Sequence, residues 1–216
     1  MTKVKPEWKH YRVIHSIYPP ENLFDSVSDK DSFLLAELES ETNDRLMRWR
    51  EYVHPEDARF GNGWGAVMAS FCYVRAGRFN TENFGCYYAS NSIHTAIAEW
   101  SYHAARTWLE FNYHEDANAI VRSYAGKCRE SLVDVRSNTQ VHQKANYRHS
   151  QALAQKHVAM NEFGVLYKSV RHHEGLCIGL YRPTATSPVT QASHYTIKWD
   201  GQSFTQFAEM KEFQPI

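Results

Sequence analysis

One segment of this chain, in which a strand-like run leads into a strongly periodic helix, constrains the fold more than any other. Residues 84–89 (FGCYYA) are typical of a buried strand, and residues 90–92 (SNS) supply side chains that cap helix N-termini. Apolar residues then recur at i, i+4, i+7, i+11 and i+15, which places them on one helix face. They are Ile93, Ile97, Trp100, Ala104 and Trp108. The sequence therefore predicts a long amphipathic helix directly after a buried strand.

The other segments alternate irregularly between helix and strand patterns. The sequence predicts an early strand at residues 11–15 and a helix at residues 29–52, and residues 67–73 fit either a short buried helix or a strand. The remaining predicted elements are one or two strands at residues 118–135, a helix at residues 150–160, and strands at residues 165–167, 176–181 and 193–199. Because these elements do not repeat as strand–helix–strand units, we predict the α+β fold class.

Charge and composition exclude several classes of protein. The chain has 24 Lys and Arg against 24 Asp and Glu, so it lacks the basic footprint of proteins that bind duplex DNA or anionic membranes. No window approaches the 18 apolar residues of a membrane-spanning helix, and the N-terminus lacks the apolar core of a signal peptide. We therefore expect a cytoplasmic protein without direct nucleic-acid or membrane binding. Zero net charge and 14% aromatic residues leave a homo-oligomer open.

The twelve histidines make a metal site the natural rival hypothesis. His172 and His173 are adjacent, so they would point apart on a strand. Glu99 and His103 are four residues apart, but the sequence offers no evident third ligand, and the four cysteines contain no Cys-x-x-Cys pair. We therefore expect no metal site.

Four short patches combine reactive polar residues with apolar neighbours. Each has an ordinary structural explanation when taken alone: a solvent-facing strand arginine, a surface turn, an ion-pair row on a helix, and a serine outside any nucleophile motif. The patches are Tyr11-Arg12-Val13, Gly77-Arg78-Phe79-Asn80, Tyr87-Tyr88-Ala89-Ser90 followed by the helix with Glu99, and residues 165–171 with Ser169. A functional interpretation depends on their order along the chain.

In this order, and with Glu99 21 positions after Arg78, the patches resemble the RES domain, a family named for its Arg, Glu and Ser. The resemblance extends discontinuously over residues 11–183 and is loose over residues 101–163. It implies a single RES-like domain over residues 1–216, with an additional helical stretch near residues 29–54 and an insert near residues 101–163. One departure is Lys168, which stands where a proline often precedes the serine.

The resemblance implies an ADP-ribosyltransferase-like core of mixed, mainly antiparallel sheets flanked by helices. Members of the family are known as bacterial toxins that degrade NAD⁺ or transfer its ADP-ribose, usually neutralised by an Xre-like helix-turn-helix antitoxin. The expected activity is therefore that of an NAD⁺ glycohydrolase from a toxin–antitoxin pair, with NAD⁺ as substrate and no cofactor. An ADP-ribosyltransferase acting on a protein acceptor, or a non-catalytic NAD-binding module, is also compatible with the resemblance.

The resemblance also implies roles for six residues. Cleavage of the nicotinamide–ribose bond builds an oxocarbenium-like cation, which a carboxylate can stabilise, so Glu99 is the expected catalytic residue. Arg12 and Arg78 would clamp the pyrophosphate or the adjacent ribose. Tyr88 would stack against the nicotinamide, and Ser169 would hydrogen-bond the ribose or amide rather than attack it. Asn80 completes the expected NAD-binding set.

Overall fold

The computed structural model of the protein describes residues 1–18 and 49–211, and the strands of these ranges form one sheet. The strands are β1 (Lys3–Val4), β2 (Lys9–His15), β3 (Tyr87–Ser90), β4 (Ala117–Lys127), β5 (Leu132–Asp134), β6 (Gly164–Lys168), β7 (Leu176–Leu180), β8 (Thr190–Trp199) and β9 (Phe204–Glu209). The α-helices are α1 (Trp49–Tyr52), α2 (Gly65–Cys72), α3 (Ile93–Glu110) and α4 (Arg148–Ala159). Short 3₁₀ helices lie at Pro55–Asp57, Thr139–His142 and Pro183–Ala185.

The strand order is β1-β5-β6-β7-β3-β2-β4-β8-β9. Between the described strands every pairing is antiparallel except that of β5 with β6. Strands β2 and β3 are neighbours near the middle of the sheet, although residues 16–86 separate them along the chain. The predicted α+β class, with a mixed and mainly antiparallel sheet flanked by helices, is confirmed.

Helix α3 packs on this sheet through its predicted apolar face. Ser92 is the N-cap, and its hydroxyl accepts a hydrogen bond from the backbone N–H of Thr95, which satisfies an otherwise unpaired donor of the first turn. Ile97 is buried against residues of β4 and β8. Further along the helix, Trp108 meets the Trp199 ring at 5.2 Å between centroids. The helix is therefore fixed on the sheet at both ends.

Helices α2 and α4 complete two further parts of the core. In α2, Val67, Met68 and Phe71 are fully buried in a cluster that also contains residues of β3 and β7. The segment at residues 67–73, which the sequence left open between helix and strand, is therefore helical. In α4, Ala154 is buried in a second cluster with residues of β6.

Most predicted elements are present with shifted bounds, and some differ. The strand expected at residues 84–89 begins at Tyr87. Gly85, which precedes it, lies against α2, where an added Cβ would be 2.6 Å from the Phe71 Cα. The stretch expected as an insert at residues 101–163 contributes β4, which lies between β2 and β8. Strands β1 and β9 were not predicted. Of the helix expected at residues 29–52, only the last turn falls within the described residues.

The structure also bears on membrane crossing. Across residues 1–18 and 49–211, no helix combines the length and the apolar character that a bilayer span requires.

Candidate functional site

A cleft of about 280 Å³ opens between α3, strands β2 and β3, and the turn that follows α2. Four of the six sequence-predicted site residues line it: Arg12, Arg78, Tyr88 and Glu99. The antiparallel arrangement of β2 beside β3, and the start of α3 directly after β3, bring these distant residues together. The cleft is therefore the place where the predicted set can act on one ligand.

Glu99 projects from α3 into the cleft, and its hydrogen bonds leave one carboxylate oxygen for a ligand. Its Oε1 accepts a hydrogen bond of 2.6 Å from the Ser169 hydroxyl, and the Cys177 thiol lies 3.9 Å from the same oxygen. Among the described residues, no basic side chain forms an ion pair with Glu99, and no side chain donates a hydrogen bond to its Oε2. The negative charge is thus oriented by neutral donors and is not neutralised within the described protein.

The hydroxyl of Ser169 is fully used within the protein. It donates to Glu99 and accepts from the backbone N–H groups of Arg171 at 3.1 Å and His172 at 3.0 Å. A hydroxyl has one hydrogen to donate and two lone pairs to accept with, so no bonding capacity remains. The expected hydrogen bond from Ser169 to the ribose or amide therefore has no free donor or acceptor in this geometry. Ser169 instead holds the Glu99 carboxylate.

The loop that carries Ser169 is itself anchored to the start of α3. The Ser169 backbone N–H donates to the Gly175 carbonyl at 2.8 Å, which closes the loop. The Thr95 hydroxyl and the His172 Nδ1 lie 2.9 Å apart, within hydrogen-bond distance. A Cβ on Gly175 would lie 2.6 Å from the Thr95 methyl carbon, so only glycine allows this close approach. The loop and the helix that carries Glu99 are thus positioned together.

Arg78 is almost completely buried, with 7% of its surface exposed, at the wall of the cleft. Its Nη1 donates to the carbonyl oxygens of Val141 and Gln143, both at 2.8 Å. The guanidinium carbon lies 4.5 Å from the centroid of the Tyr147 ring, in a cation–π contact. These contacts fix the guanidinium, and they tie the turn after α2 to the segment that precedes α4.

Arg12 does not lie on an open strand face, as the structural explanation of its patch would require. It lines the cleft, donates from Nη1 to the Tyr88 carbonyl at 3.1 Å, and places its guanidinium carbon 5.0 Å from the Tyr87 ring centroid. Its Nε is buried without a hydrogen-bond partner in the described part of the chain. Burial lowers the pKa of Arg12. The side chain thus supplies a desolvated positive charge under the cleft.

Tyr88 and Asn80 form a pair that supports the turn. The Tyr88 hydroxyl donates to Asn80 Oδ1 at 2.9 Å and accepts from the Phe79 backbone N–H at 2.8 Å. Burial raises the pKa of Tyr88 well above its ordinary value. The Asn80 amide donates to three backbone carbonyls of its own turn, those of Arg75, Thr81 and Phe84.

Asn80 therefore differs from the role that the resemblance implied for it. It is 2% exposed and does not line the cleft, and both ends of its amide are bonded within the protein. Its side chain shapes the turn that presents Arg75 and Arg78 and has no surface with which to meet a ligand.

Sequence reasoning missed several residues that line the cleft. Trp100 and His103 follow Glu99 on α3. The sequence shows that both lie near Glu99 on a helix, but its apolar pattern assigned Trp100 to the core. Arg75, Tyr147 and Tyr167 also line the cleft, and no motif singled them out. Below them Cys177 is buried, and burial together with the charge of Glu99 raises the pKa of its thiol to about 12. In the described ranges, no three His, Cys, Asp or Glu side chains come together to bind a metal ion.

A comparison with models of protein families identifies the family of this chain. The family model of the RES domain matches residues 46–200, more than half of the chain, and this span contains Arg78, Tyr88, Glu99 and Ser169. No curated protein matches. A solved structure, the Mycobacterium tuberculosis MbcT–MbcA toxin–antitoxin complex, contains a chain that is 14% identical, with 96% of this chain and 86% of that chain covered and a TM-score of 0.44. From the family match, the chain belongs to the RES domain family.

Proposed function

We propose that the protein is an NAD⁺ glycohydrolase that cleaves the nicotinamide–ribose bond and acts as a growth-inhibiting toxin. The observation that supports this most strongly is the Glu99 carboxylate, held by the Ser169 hydroxyl, in a cleft lined by arginines. A carboxylate that is oriented but not neutralised is suited to stabilise a cation, while the arginines suit an anionic ligand. NAD⁺ combines both demands, because it carries a pyrophosphate and forms a cationic ribose when its glycosidic bond breaks.

In the proposed reaction the bond between the ribose C1′ and the nicotinamide nitrogen breaks. Its electron pair leaves with the nicotinamide, which departs as a neutral molecule, and the ribose becomes an oxocarbenium-like cation. The Glu99 carboxylate stabilises this charge or orients the ribose hydroxyls. Water then adds to C1′ and loses a proton, which gives ADP-ribose.

The residues around Glu99 favour the transition state over the bound substrate. The hydrogen bond from Ser169 is already formed in the structure, so no reorganisation is needed when positive charge develops on the ribose. The cleft is walled by aromatic rings, among them Tyr88 and Trp100, which can exclude bulk water from the reacting bond. Electrostatic attraction between Glu99 and the cation is stronger where water is excluded.

The test is whether the purified protein releases nicotinamide and ADP-ribose from NAD⁺. Chromatography measures both products. We expect Glu99→Gln to lower turnover by about 100- to 1000-fold, because it removes the charge and keeps the shape of the side chain. The matched control is Glu110→Gln, at the exposed end of the same helix and outside the cleft, which should retain full turnover. Equal turnover in the two variants would contradict the role of Glu99.

The same experiment separates hydrolysis from transfer. A glycohydrolase releases ADP-ribose in equal amount to nicotinamide, whereas a transferase leaves the ADP-ribose on a protein, which mass spectrometry detects. An enzyme that consumes NAD⁺ in its own cell also needs a neutraliser, so we propose an Xre-like antitoxin as partner. Co-expression with such a partner should restore growth that expression of the enzyme alone prevents.

A further inference from the structure

We propose that Arg75 is the phosphate-binding cation of the cleft and that it selects a nucleoside diphosphate moiety; this assignment rests on the proposed function and goes beyond the residues of the family motif. Of the residues that the structure describes, three line the cleft with a guanidinium group: Arg12, Arg75 and Arg78. They differ in how many of their N–H donors are already bonded within the protein, and this difference decides which one keeps all of its donors for a ligand.

Two of the three guanidinium groups are held by the protein. Arg78 is buried, donates to two backbone carbonyls and stacks on Tyr147. Arg12 donates to the Tyr88 carbonyl and packs over the Tyr87 ring. Either group would therefore bind a phosphate with only part of its N–H donors, because Nη1 of each is already bonded within the protein.

Arg75 has no such commitment. Its side chain is exposed and makes no hydrogen bond or ion pair with any described residue, while it lines the same cleft. The planar guanidinium therefore keeps its full set of N–H donors for a ligand. A pyrophosphate offers oxygens that match this fork, so one side chain can form two parallel charge-assisted hydrogen bonds.

The backbone that carries Arg75 is fixed, so little backbone entropy is lost when the side chain binds a ligand. The Asn80 amide donates to the Arg75 carbonyl at 2.8 Å, and the Gly77 N–H donates to the Asn80 carbonyl at 3.0 Å. From α4, the Gln151 amide donates to the carbonyls of Gly77 and Asn80. The turn is thus held from inside by Asn80 and from outside by Gln151.

The charge of the cleft matches the same ligand class. Glu99 is the only carboxylate among the residues that line the cleft in the described ranges, against three arginines. The formal charge of the lining is therefore positive within a chain whose net charge is zero. A diphosphate compensates this excess, while the cationic ribose formed in the reaction can lie beside Glu99.

The expected kinetic signature of Arg75 differs from that of Glu99. The pyrophosphate does not change during cleavage, so Arg75 binds substrate and transition state equally. Loss of such uniform binding raises KM and leaves kcat unchanged. We expect Arg75→Gln to raise the KM for NAD⁺ by about 10- to 100-fold, the range of a charge-assisted contact. The matched control is Arg129→Gln, an exposed arginine outside the cleft.

Substrates that lack the diphosphate isolate the effect. With nicotinamide riboside, which carries the same scissile bond and no phosphate, Arg75→Gln and the unmodified protein should have the same KM. Calorimetric titration with ADP gives a second readout that needs no catalysis, and Arg75→Gln should weaken ADP binding by the same factor as it raises the KM for NAD⁺. Arg129→Gln should change neither quantity.

The outcomes separate this inference from the proposed function. If the unmodified protein releases nicotinamide but Arg75→Gln leaves the KM for NAD⁺ and the ADP affinity unchanged, the assignment of Arg75 is wrong and the glycohydrolase stands. If no nicotinamide is released but ADP binds in a manner that depends on Arg75, the site is supported and the proposed reaction is wrong. Absence of ADP binding to the unmodified protein would overturn the phosphate site.

Discussion

Two carboxylates that the fold holds in place, Glu99 in the cleft and Asp57 at the 3₁₀ helix before α2, have opposite environments. Asp57 is 7% exposed and receives a two-point ion pair from Arg182, with Nε to Oδ2 and Nη2 to Oδ1 both at 2.8 Å. The Thr184 hydroxyl adds a third donor at 3.3 Å. Glu99 receives a hydroxyl and a thiol, and no cation among the described residues.

The difference shows how one chemical group serves two purposes. The charge of Asp57 is neutralised within the protein, and its ion pair joins two segments that lie 125 residues apart. The hydrogen bonds that Arg182 donates to Asp57 raise the pKa of Arg182, whose guanidinium carbon also lies 5.2 Å from the Phe163 ring centroid. The charge of Glu99 is oriented but uncompensated, so a ligand can use it. Asp57 should therefore govern stability, and Glu99 turnover.

The strongest way to break this comparison is to remove the charge of Asp57. Asp57→Asn leaves Arg182 without its partner, and we expect a loss of about 3 kcal/mol in the free energy of unfolding. This is the low end of the range for a buried pair, because a third of the Arg182 side chain is exposed. Denaturant titration measures the loss, and nicotinamide release per folded molecule should be unchanged.

Asp116→Asn is the matched control for this variant. Asp116 is exposed and outside the cleft, and it forms no ion pair with a described residue. Its substitution should change the free energy of unfolding by less than about 0.5 kcal/mol. If Asp57→Asn instead lowers turnover per folded molecule while stability is retained, the division of labour between the two carboxylates is wrong.

A third buried group is the imidazole of His10. It tests whether a side chain that is buried in its neutral form destabilises the fold at acid pH. His10 is fully buried, and its Nε2 lies 2.8 Å from the Thr186 hydroxyl. Burial first, and the charge of Arg12 second, lower its pKa from 6.5 to about 4. Between these values the unfolded chain binds a proton that the folded chain does not, so stability falls as the pH falls.

We expect this linkage to cost roughly 2–3 kcal/mol between pH 7 and pH 4.5, since one pKa unit corresponds to about 1.4 kcal/mol. Denaturant titrations at both pH values measure the change. His10→Gln cannot titrate and keeps an amide that can reach Thr186, so its stability should depend less on pH by about that amount. An equal pH dependence in the two proteins would show that His10 is not the group responsible.

How far the sequence predicts this molecule depends on whether a signal is local. Helix α3 was predicted because its apolar spacing and the Ser92 cap lie within one segment. The residues of the cleft were predicted only through the order of the family motifs, since β2 and β3 are far apart in the chain. The Asp57–Arg182 pair was not predicted, because neither residue has a neighbour that marks it.

The roles of the site residues were harder to predict than their positions. Ser169 and Asn80 belong to the motif, yet both direct their polar atoms into the protein. A motif records which residues are needed, and it does not distinguish ligand contact from support of a contact. Arg75 shows the converse, since it lines the cleft without belonging to any pattern that the sequence offered.

Removing the hydroxyl of Ser169 is the finest test of the comparison, because it changes the orientation of Glu99 and not its charge. Ser169→Ala leaves Oε1 without its 2.6 Å hydrogen bond and two backbone N–H groups without their acceptor. We expect kcat to fall by about 10- to 30-fold, about 1–2 kcal/mol in the barrier, with the KM for NAD⁺ little changed.

Ser169→Thr keeps the hydroxyl and should recover most of kcat. If residue 169 were needed only to fill space, kcat would not depend on the hydroxyl. The unfolding free energy of each variant must be measured alongside, since the loop anchor at residues 169–175 also loses its acceptor in Ser169→Ala. If alanine and threonine behave alike in kcat, the hydroxyl does not position Glu99. If only alanine lowers kcat, the neutral hydrogen bond from Ser169 fixes the position of Glu99, as the Arg182 guanidinium fixes that of Asp57. Unlike the guanidinium, the hydroxyl leaves the negative charge uncompensated and therefore available to the substrate cation.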